Sequence, residues 1–224
     1  MFDTVRENFF NAAIAARYLP DILKGMAVTL QLGGLIVATG IGLGLALAFL
    51  RAFQVRALSL AIVAFADVLR ALPPLVVLIL LYFALPFAGA QLSGFAAAWL
   101  ALALALAAFA EEIFWAGILS VQRGQWEAAR STGLGYAQTL LHVVLPQALR
   151  LTIPPLTNRT IAITKMTAIA SVVTVEEILA NASTAQAYSA NTTPLAMAAA
   201  AYLAIFLPLV VFSRWVEKRY AWKV

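Results

Sequence analysis

The residues able to do chemistry in this sequence are ionisable groups set inside apolar runs. Asp67 and Arg70 interrupt one such run, Glu111 and Glu112 a second, and Lys165 with Thr167 a third. A charge at the centre of a membrane costs about 2.5–3.5 kcal/mol on insertion scales, so each group needs a partner or a water-filled cavity. Asp67 and Arg70 are three residues apart and share a helix face, where they can pair. Arg70 lies about 11 residues into its run and Lys165 about 10, which at about 1.5 Å per residue puts both roughly 15–17 Å deep. Glu112 lies nearer an end of its own run. Two bases and one acid at comparable depth can hold a carboxylate and an ammonium group. They can equally form a structural salt-bridge network, and at this point both readings stay open.

Other chemistries are excluded. The chain has no cysteine, so disulfides and thiolate metal sites are ruled out. A single histidine, His142, cannot build a zinc site. It is also far from any intramembrane Ser or Asp that a protease or acyltransferase would need. No glycine is followed by lysine, so the chain lacks a P-loop to cradle nucleotide phosphates. The run Gly40-Ile41-Gly42-Leu43-Gly44 sits in an apolar stretch with no strand before it and no acidic partner, which excludes a dinucleotide loop. No catalytic residue, metal ligand or cofactor is expected in this chain.

The elements that carry the charged residues read as membrane helices. Of 224 residues, 63% are hydrophobic and 11% charged, against about 25% charged in soluble domains. Five stretches approach the roughly 20 apolar residues a membrane helix needs: about 25–50, 59–85, 93–119, 155–180 and 194–213. Gly40 and Gly44 form a small-xxx-small pair that admits a neighbouring helix. Pro73-Pro74 and Pro154-Pro155 are expected to interrupt helices, as gating bends or as packing kinks. Residues 1–24 mix Asp3, Arg6, Glu7, Arg17, Asp21 and Lys24 with apolar residues, unlike a cleavable leader. Phe2, Val5, Phe9 and Ala13 recur at helical spacing, which predicts an amphipathic interfacial helix there rather than a frayed tail. Glu176 and Glu177 fall near the end of the fourth stretch and are expected to face water.

The connectors set the orientation. Arg51 and Arg56 follow the first stretch, Arg123, Arg130 and Arg150 the third, and Arg214, Lys218, Arg219 and Lys223 the fifth, whereas 86–92 and 181–193 hold no basic residue. Basic short loops stay in the cytoplasm. The N-terminus is therefore expected outside, the C-terminus inside, and the 120–154 connector in the cytoplasm. The net charge of +5 belongs to this pattern, not to nucleic-acid binding.

That connector is too polar to span and too helix-prone to be a loop. Glu127, Ala128, Ala129 and Arg130 favour helix, and Gly133 and Gly135 would end it. A second run, Tyr136 to Leu145, is expected to break or kink at Pro146. The physical reading is a short helix along the membrane surface whose paired alanines permit close approach to a partner. The plain alternative for Glu127 is a local ion pair with Arg130, worth about 0.2–0.5 kcal/mol.

Glu127-Ala128-Ala129, Gly133, Val143 and Leu145-Pro146 stand at the spacing of the EAA motif shared by the permease subunits of ATP-binding-cassette (ABC) importers, and the chain resembles that family. It is most similar to the polar amino acid permeases of histidine, glutamine and arginine type. Phe65 to Leu75, with Arg70 before Pro73-Pro74-Leu75, looks like their second-span signature. Ser120 to Gln125 and Leu145-Pro146-Gln147-Ala148-Leu149-Arg150 fit as well.

The resemblance implies an all-α inner-membrane protein of type I importer architecture: an interfacial segment at 1–24, five spans within 25–224, and a cytoplasmic coupling helix. It implies a second permease subunit of the same or a different chain, a cytoplasmic ABC ATPase dimer that binds the ATP, and a periplasmic solute-binding protein. Glu127, Ala128, Ala129, Gly133, Leu145 and Pro146 would couple to the ATPase. Asp67, Arg70, Glu112, Lys165 and Thr167 are the substrate-path candidates, for an amino acid that the resemblance implies is polar. Two stretches depart from the family: the third span, with Trp115 where an arginine is frequent, and the fourth, with Met166 and Ala168 within its Lys-Asp-Thr-Ser-Leu pattern. They point to a less polar substrate or a non-binding half of a heterodimer. The competing function is an ion-coupled carrier or channel subunit independent of an ATPase.

Overall fold

The computed structural model describes residues 2–220. Lys223 and the side chain of Phe2, both used above, lie outside the described residues. Among the described residues the structure is helical throughout, with no strand. The α-helices are α1 (Phe2–Phe9), α2 (Ala12–Ala52), α3 (Arg56–Ala71), α4 (Pro74–Ile79), α5 (Gly94–Ser120), α6 (Arg123–Ser131), α7 (Tyr136–Thr139), α8 (Leu145–Lys165), α9 (Ile178–Ser189) and α10 (Thr193–Tyr220). Three helices among the described residues are long and apolar enough to cross a membrane: Thr4–Ala52, Gly94–Ser120 and Thr193–Tyr220. The broken pair Arg56–Ala71 and Pro74–Ala88 makes a fourth if taken as one span.

Proline shapes the chain in two ways. Leu72, forced out of the helical region by Pro73, is extended (φ −86°, ψ 132°), so α3 stops and Pro74 opens α4. Elsewhere the chain stays helical. Pro146, Pro154 and Pro155 do not break it, contrary to expectation: all three lie within α8. At Pro146 the reason is visible. A proline ring clashes with the carbonyl four residues back, here that of His142. Leu140–Val144 forms a wider π turn that displaces this carbonyl. The Gln147 side-chain Nε2 then donates to the Val143 carbonyl at 2.8 Å, satisfying a nearby acceptor. The same device recurs before Pro86, where Leu80–Ala84 is the π turn. Both turns stand in the pattern Leu-Leu-x-x-x-Leu-Pro.

The stretch 155–180 is not one apolar α-helix. After Lys165, α8 gives way to a 3-10 segment, Met166–Val173, which ends at Thr174 in the left-handed region (φ 61°). Residues 12–24 likewise differ from the expected interfacial helix. They belong to α2, which runs 41 residues through Pro20, and only α1 stands before it.

The chain divides into two compact units. The first comprises Met1–Ile36, Pro74–Leu102 and Ile163–Val211. Its core packs Ile22, Ile178, Ala182, Ala198 and Ala201 against Met26, Tyr202 and Ile205. In this unit α1 is fastened to the α9–α10 link: Asn191 donates to the Glu7 carbonyl at 2.9 Å, the Thr192 hydroxyl to the Asn8 carbonyl, and the Asn11 amide to the Thr193 hydroxyl at 3.1 Å. Val5 and Phe9 on α1 stay about half exposed.

The second unit comprises Val37–Pro73, Ala103–Ala162 and Phe212–Val224. Here the small pair on α2 meets α5. A Cβ at Gly40 would lie 2.8 Å from Leu106, and one at Gly44 2.5 Å from the Ala110 Cβ. Only hydrogen fits at that distance, so the backbones approach as the small-xxx-small spacing requires. A further cluster joins Ala52, Ile118, Val121, Leu140, Val144 and Ala148.

Candidate functional site

The acid–base residues of the second unit come together. Arg70 donates to Asp67 at 2.6 Å and pairs through its other terminal nitrogen with Glu112. Asp67 and Glu112 have side chains 58% and 55% exposed, whereas Arg70 is 24% exposed between them. The three-residue spacing on α3 supplies the first contact and tertiary packing supplies the second. One base against two acids leaves the cluster one negative charge in excess, held at an accessible surface.

Lys165 and Thr167 belong to the first unit. Thr167 is fully buried, and its hydroxyl donates to the Thr164 carbonyl at 2.9 Å, so it is turned into its own segment. Lys165 is exposed, and among the described residues it has no ion-pair partner. It lines an open groove of about 440 Å³ with Ala168, Tyr202, Leu203, Phe206 and Val210.

Two arrangements of buried carboxylates were not legible in the sequence. Glu111 is 1% exposed and accepts from Arg51 at 2.9 Å, and the Arg51 guanidinium lies 4.6 Å from the Trp115 ring centre. Arg51 therefore serves α5, although it reads as a connector charge. The signal available was general: an acid in an alanine-rich apolar helix must find a base. Glu177, expected to face water beside Glu176, is fully buried. One of its oxygens accepts from the Ala180 amide at 2.8 Å, capping α9, and the other accepts from the Tyr202 hydroxyl at 2.5 Å. Glu176 is exposed. Burial without a charged partner is satisfied by these hydrogen bonds.

The connector helix α6 is nine residues long and ends where glycine permits: Gly133 has φ 89°. Its faces are unequal. Glu127 and Ala128 are exposed, whereas Ala129 is buried within the chain. Among the described residues Glu127 has no ion-pair partner, Arg130 included. Gly133 and Pro146 are exposed and Leu145 is half-buried. Trp126 stacks on Tyr136 (ring centres 5.3 Å apart), and the Tyr136 hydroxyl donates to the Ala52 carbonyl at 2.5 Å. Burial pushes the Tyr136 hydroxyl above its ordinary pKa, so it remains a donor at neutral pH. Gln147 donates to Gln125 at 3.2 Å. Thus α6 is tied to the end of α2 through Tyr136 and to the start of α8 through Gln147, with its acidic, small-residue side left open.

Residues 40–222 match the model of a protein family described as the binding-protein-dependent transport system inner membrane component. The probable amino-acid ABC transporter permease protein YckA of Bacillus subtilis (strain 168) is 34% identical over 96% of this chain and 96% of its own length. The probable glutamine ABC transporter permease protein GlnP of the same bacterium is 35% identical, over 94% of this chain and 98% of its own. A chain in the crystal structure of an amino acid ABC transporter with histidines superposes with a TM-score of 0.82 at 32% identity, covering 91% of this chain and 96% of that one.

Proposed function

The chain belongs to the binding-protein-dependent transport system inner membrane component family, and on that premise we propose that it forms the translocation path for an amino acid in an ATP-driven importer. It is a multi-pass inner-membrane permease subunit of an ABC transporter. The observation that carries the proposal is the nearly full-length similarity to amino-acid ABC transporter permeases, YckA over 96% of this chain among them.

The finer architecture follows in the same reading. Five spans are reached by counting α3 with α4 as one and α8 with its 3-10 extension as another. In this reading α6 is cytoplasmic, the N-terminus outside and the C-terminus inside, which the basic residues flanking α2, α5 and α10 support. ATP is hydrolysed by a separate cytoplasmic ATPase dimer. A second permease subunit and a periplasmic solute-binding protein complete the assembly.

In this mechanism α6 is the coupling helix. Glu127 and Ala128 present an open acidic contact to the ATPase, and Gly133 fixes the exit of the chain. Closure of the ATPases displaces α6. The Tyr136–Ala52 and Gln147–Gln125 bonds pass that displacement to α2 and α8, shifting the spans between inward-open and outward-open states. Within the second unit, the Asp67–Arg70–Glu112 cluster supplies the excess negative charge that an amino acid's ammonium group needs.

Proteoliposomes holding the permease, its ATPase and its binding protein test this. Amino acid uptake that requires ATP and all three components is expected. Uptake without the ATPase, driven by an ion gradient, would overturn it.

A further inference from the structure

Apart from the transport path, we propose that the end of α10 binds the headgroup of an anionic phospholipid, held by Arg214, Lys218 and Arg219 beside the Trp215 ring. Helix length sets the level of this segment in the bilayer. α10 runs 28 residues, Thr193–Tyr220, and its first charged residue is Arg214. At about 1.5 Å per residue the helix is about 42 Å long, against about 30 Å for the hydrocarbon core and about 40–45 Å with the headgroups included. The uncharged part of α10, up to Ser213, is enough to fill the core, so the turns from Arg214 to Tyr220 stand in the headgroup layer.

Packing sorts the side chains of these turns. Ser213 and Val216 are buried. Glu217, the one acid of α10, is half-buried: it accepts from the Asn158 Nδ2 at 2.6 Å, and the Asn158 Oδ1 accepts from the Ser213 hydroxyl at 2.7 Å. The carboxylate is thus engaged by α8. Arg214, Lys218 and Arg219 are exposed, and among the described residues none of them has an ion-pair partner. Phe212 and Trp215, each 53% exposed, stack with ring centres 5.8 Å apart, and the Arg219 guanidinium lies 5.5 Å from the Trp215 ring centre. An exposed aromatic pair among unpaired cations suits a boundary that is apolar on one side and anionic on the other. An acidic protein surface would answer the cations alone. The aromatic pair, which directly follows the apolar run, calls for acyl chains to cover it. A headgroup phosphate accepts from guanidinium and ammonium donors, and three cations at the bilayer edge select a lipid of net negative charge over a zwitterionic one.

Lipid retention by the purified permease–ATPase complex tests the assignment. The complex is taken from nanodiscs of equal phosphatidylglycerol and phosphatidylcholine into mild detergent, and native mass spectrometry gives the ratio of the two lipids it keeps. The combined variant Arg214→Gln, Lys218→Gln and Arg219→Gln should lower that ratio by about fivefold or more, since one basic residue beside an anionic leaflet already contributes about that factor. Its thermal midpoint and its ATPase content should match the parent's, because the three side chains are exposed. Arg214→Lys with Arg219→Lys should keep the parent's ratio, and about 1 M salt, where the screening length is about 3 Å, should lower it. Excess inorganic phosphate should leave it unchanged. An unaltered ratio in the combined variant overturns the inference. So does loss of the ATPase from that variant with its lipid ratio intact, which would assign the cations to the ATPase. Displacement of phosphatidylglycerol by inorganic phosphate overturns it as well, the site then taking a free anion. Lipid retention is read without transport, so its failure leaves the amino acid permease reading standing.

Discussion

Arg51 and Glu111 form a 2.9 Å ion pair whose carboxylate is 1% exposed, with the guanidinium held over the ring of Trp115. Removing one partner of a buried pair strands the other and costs about 3–5 kcal/mol. Arg51→Met is therefore expected to lower the thermal midpoint of the purified complex sharply. The double variant Arg51→Met with Glu111→Leu should recover most of the loss. A single variant as stable as the parent would show that the pair bears no load.

The α2–α5 approach separates two glycines that look alike in sequence. Gly44→Val places a Cβ 2.5 Å from that of Ala110 and 2.8 Å from the Ala107 carbonyl, whereas Gly42 has nothing within 4 Å. Overpacking costs about 1–3 kcal/mol or more, so Gly44→Val should reduce the yield of folded protein and its thermal midpoint. Gly42→Val should change stability by less than about 0.5 kcal/mol. Equal effects would contradict the packing described.

On α6, Glu127→Lys reverses an exposed charge that has no ion-pair partner among the described residues, so stability should hold within about 0.5 kcal/mol. Retention of the ATPase on affinity-purified permease should nevertheless fall. Ala129→Leu is expected to do the opposite, damaging the subunit itself because Ala129 is buried. Undiminished ATPase retention and uptake in Glu127→Lys would remove α6 from the docking surface.

Tyr136→Phe keeps the stack on Trp126 and deletes only the bond to the Ala52 carbonyl, a loss of about 0.5–1.5 kcal/mol. Assembly should survive while coupling loosens. ATP hydrolysed per amino acid imported, measured in proteoliposomes, should rise. Gly133→Ala should show the same signature more strongly, because a φ of 89° costs a residue with a Cβ about 1–2 kcal/mol. An unchanged ratio in both variants would mean that force does not pass through this corner.

Much of the molecule was legible because membrane insertion writes itself into composition. Long apolar runs and the small-xxx-small pair each follow from solvation and local geometry, which depend on nearby residues alone. The same holds for α6, whose helix formers and terminal Gly133 act within one turn. Local rules misjudged Pro146, Pro154 and Pro155, which stay within α8. Whether Pro146 breaks a helix depends on the π turn before it and on Gln147 reaching Val143, and a proline carries no mark of either.

By itself the sequence determined that this chain lies in a membrane, is helical and carries a short polar helix of fixed spacing. Tertiary structure decided which charges meet. Asp67 and Arg70 are neighbours by helical geometry, but Glu112 joins them from α5, Arg51 leaves its connector for Glu111, and Glu177 turns from water to Tyr202. A buried charge must be satisfied, and which of several distant partners satisfies it is set by how the helices pack, which no local pattern records.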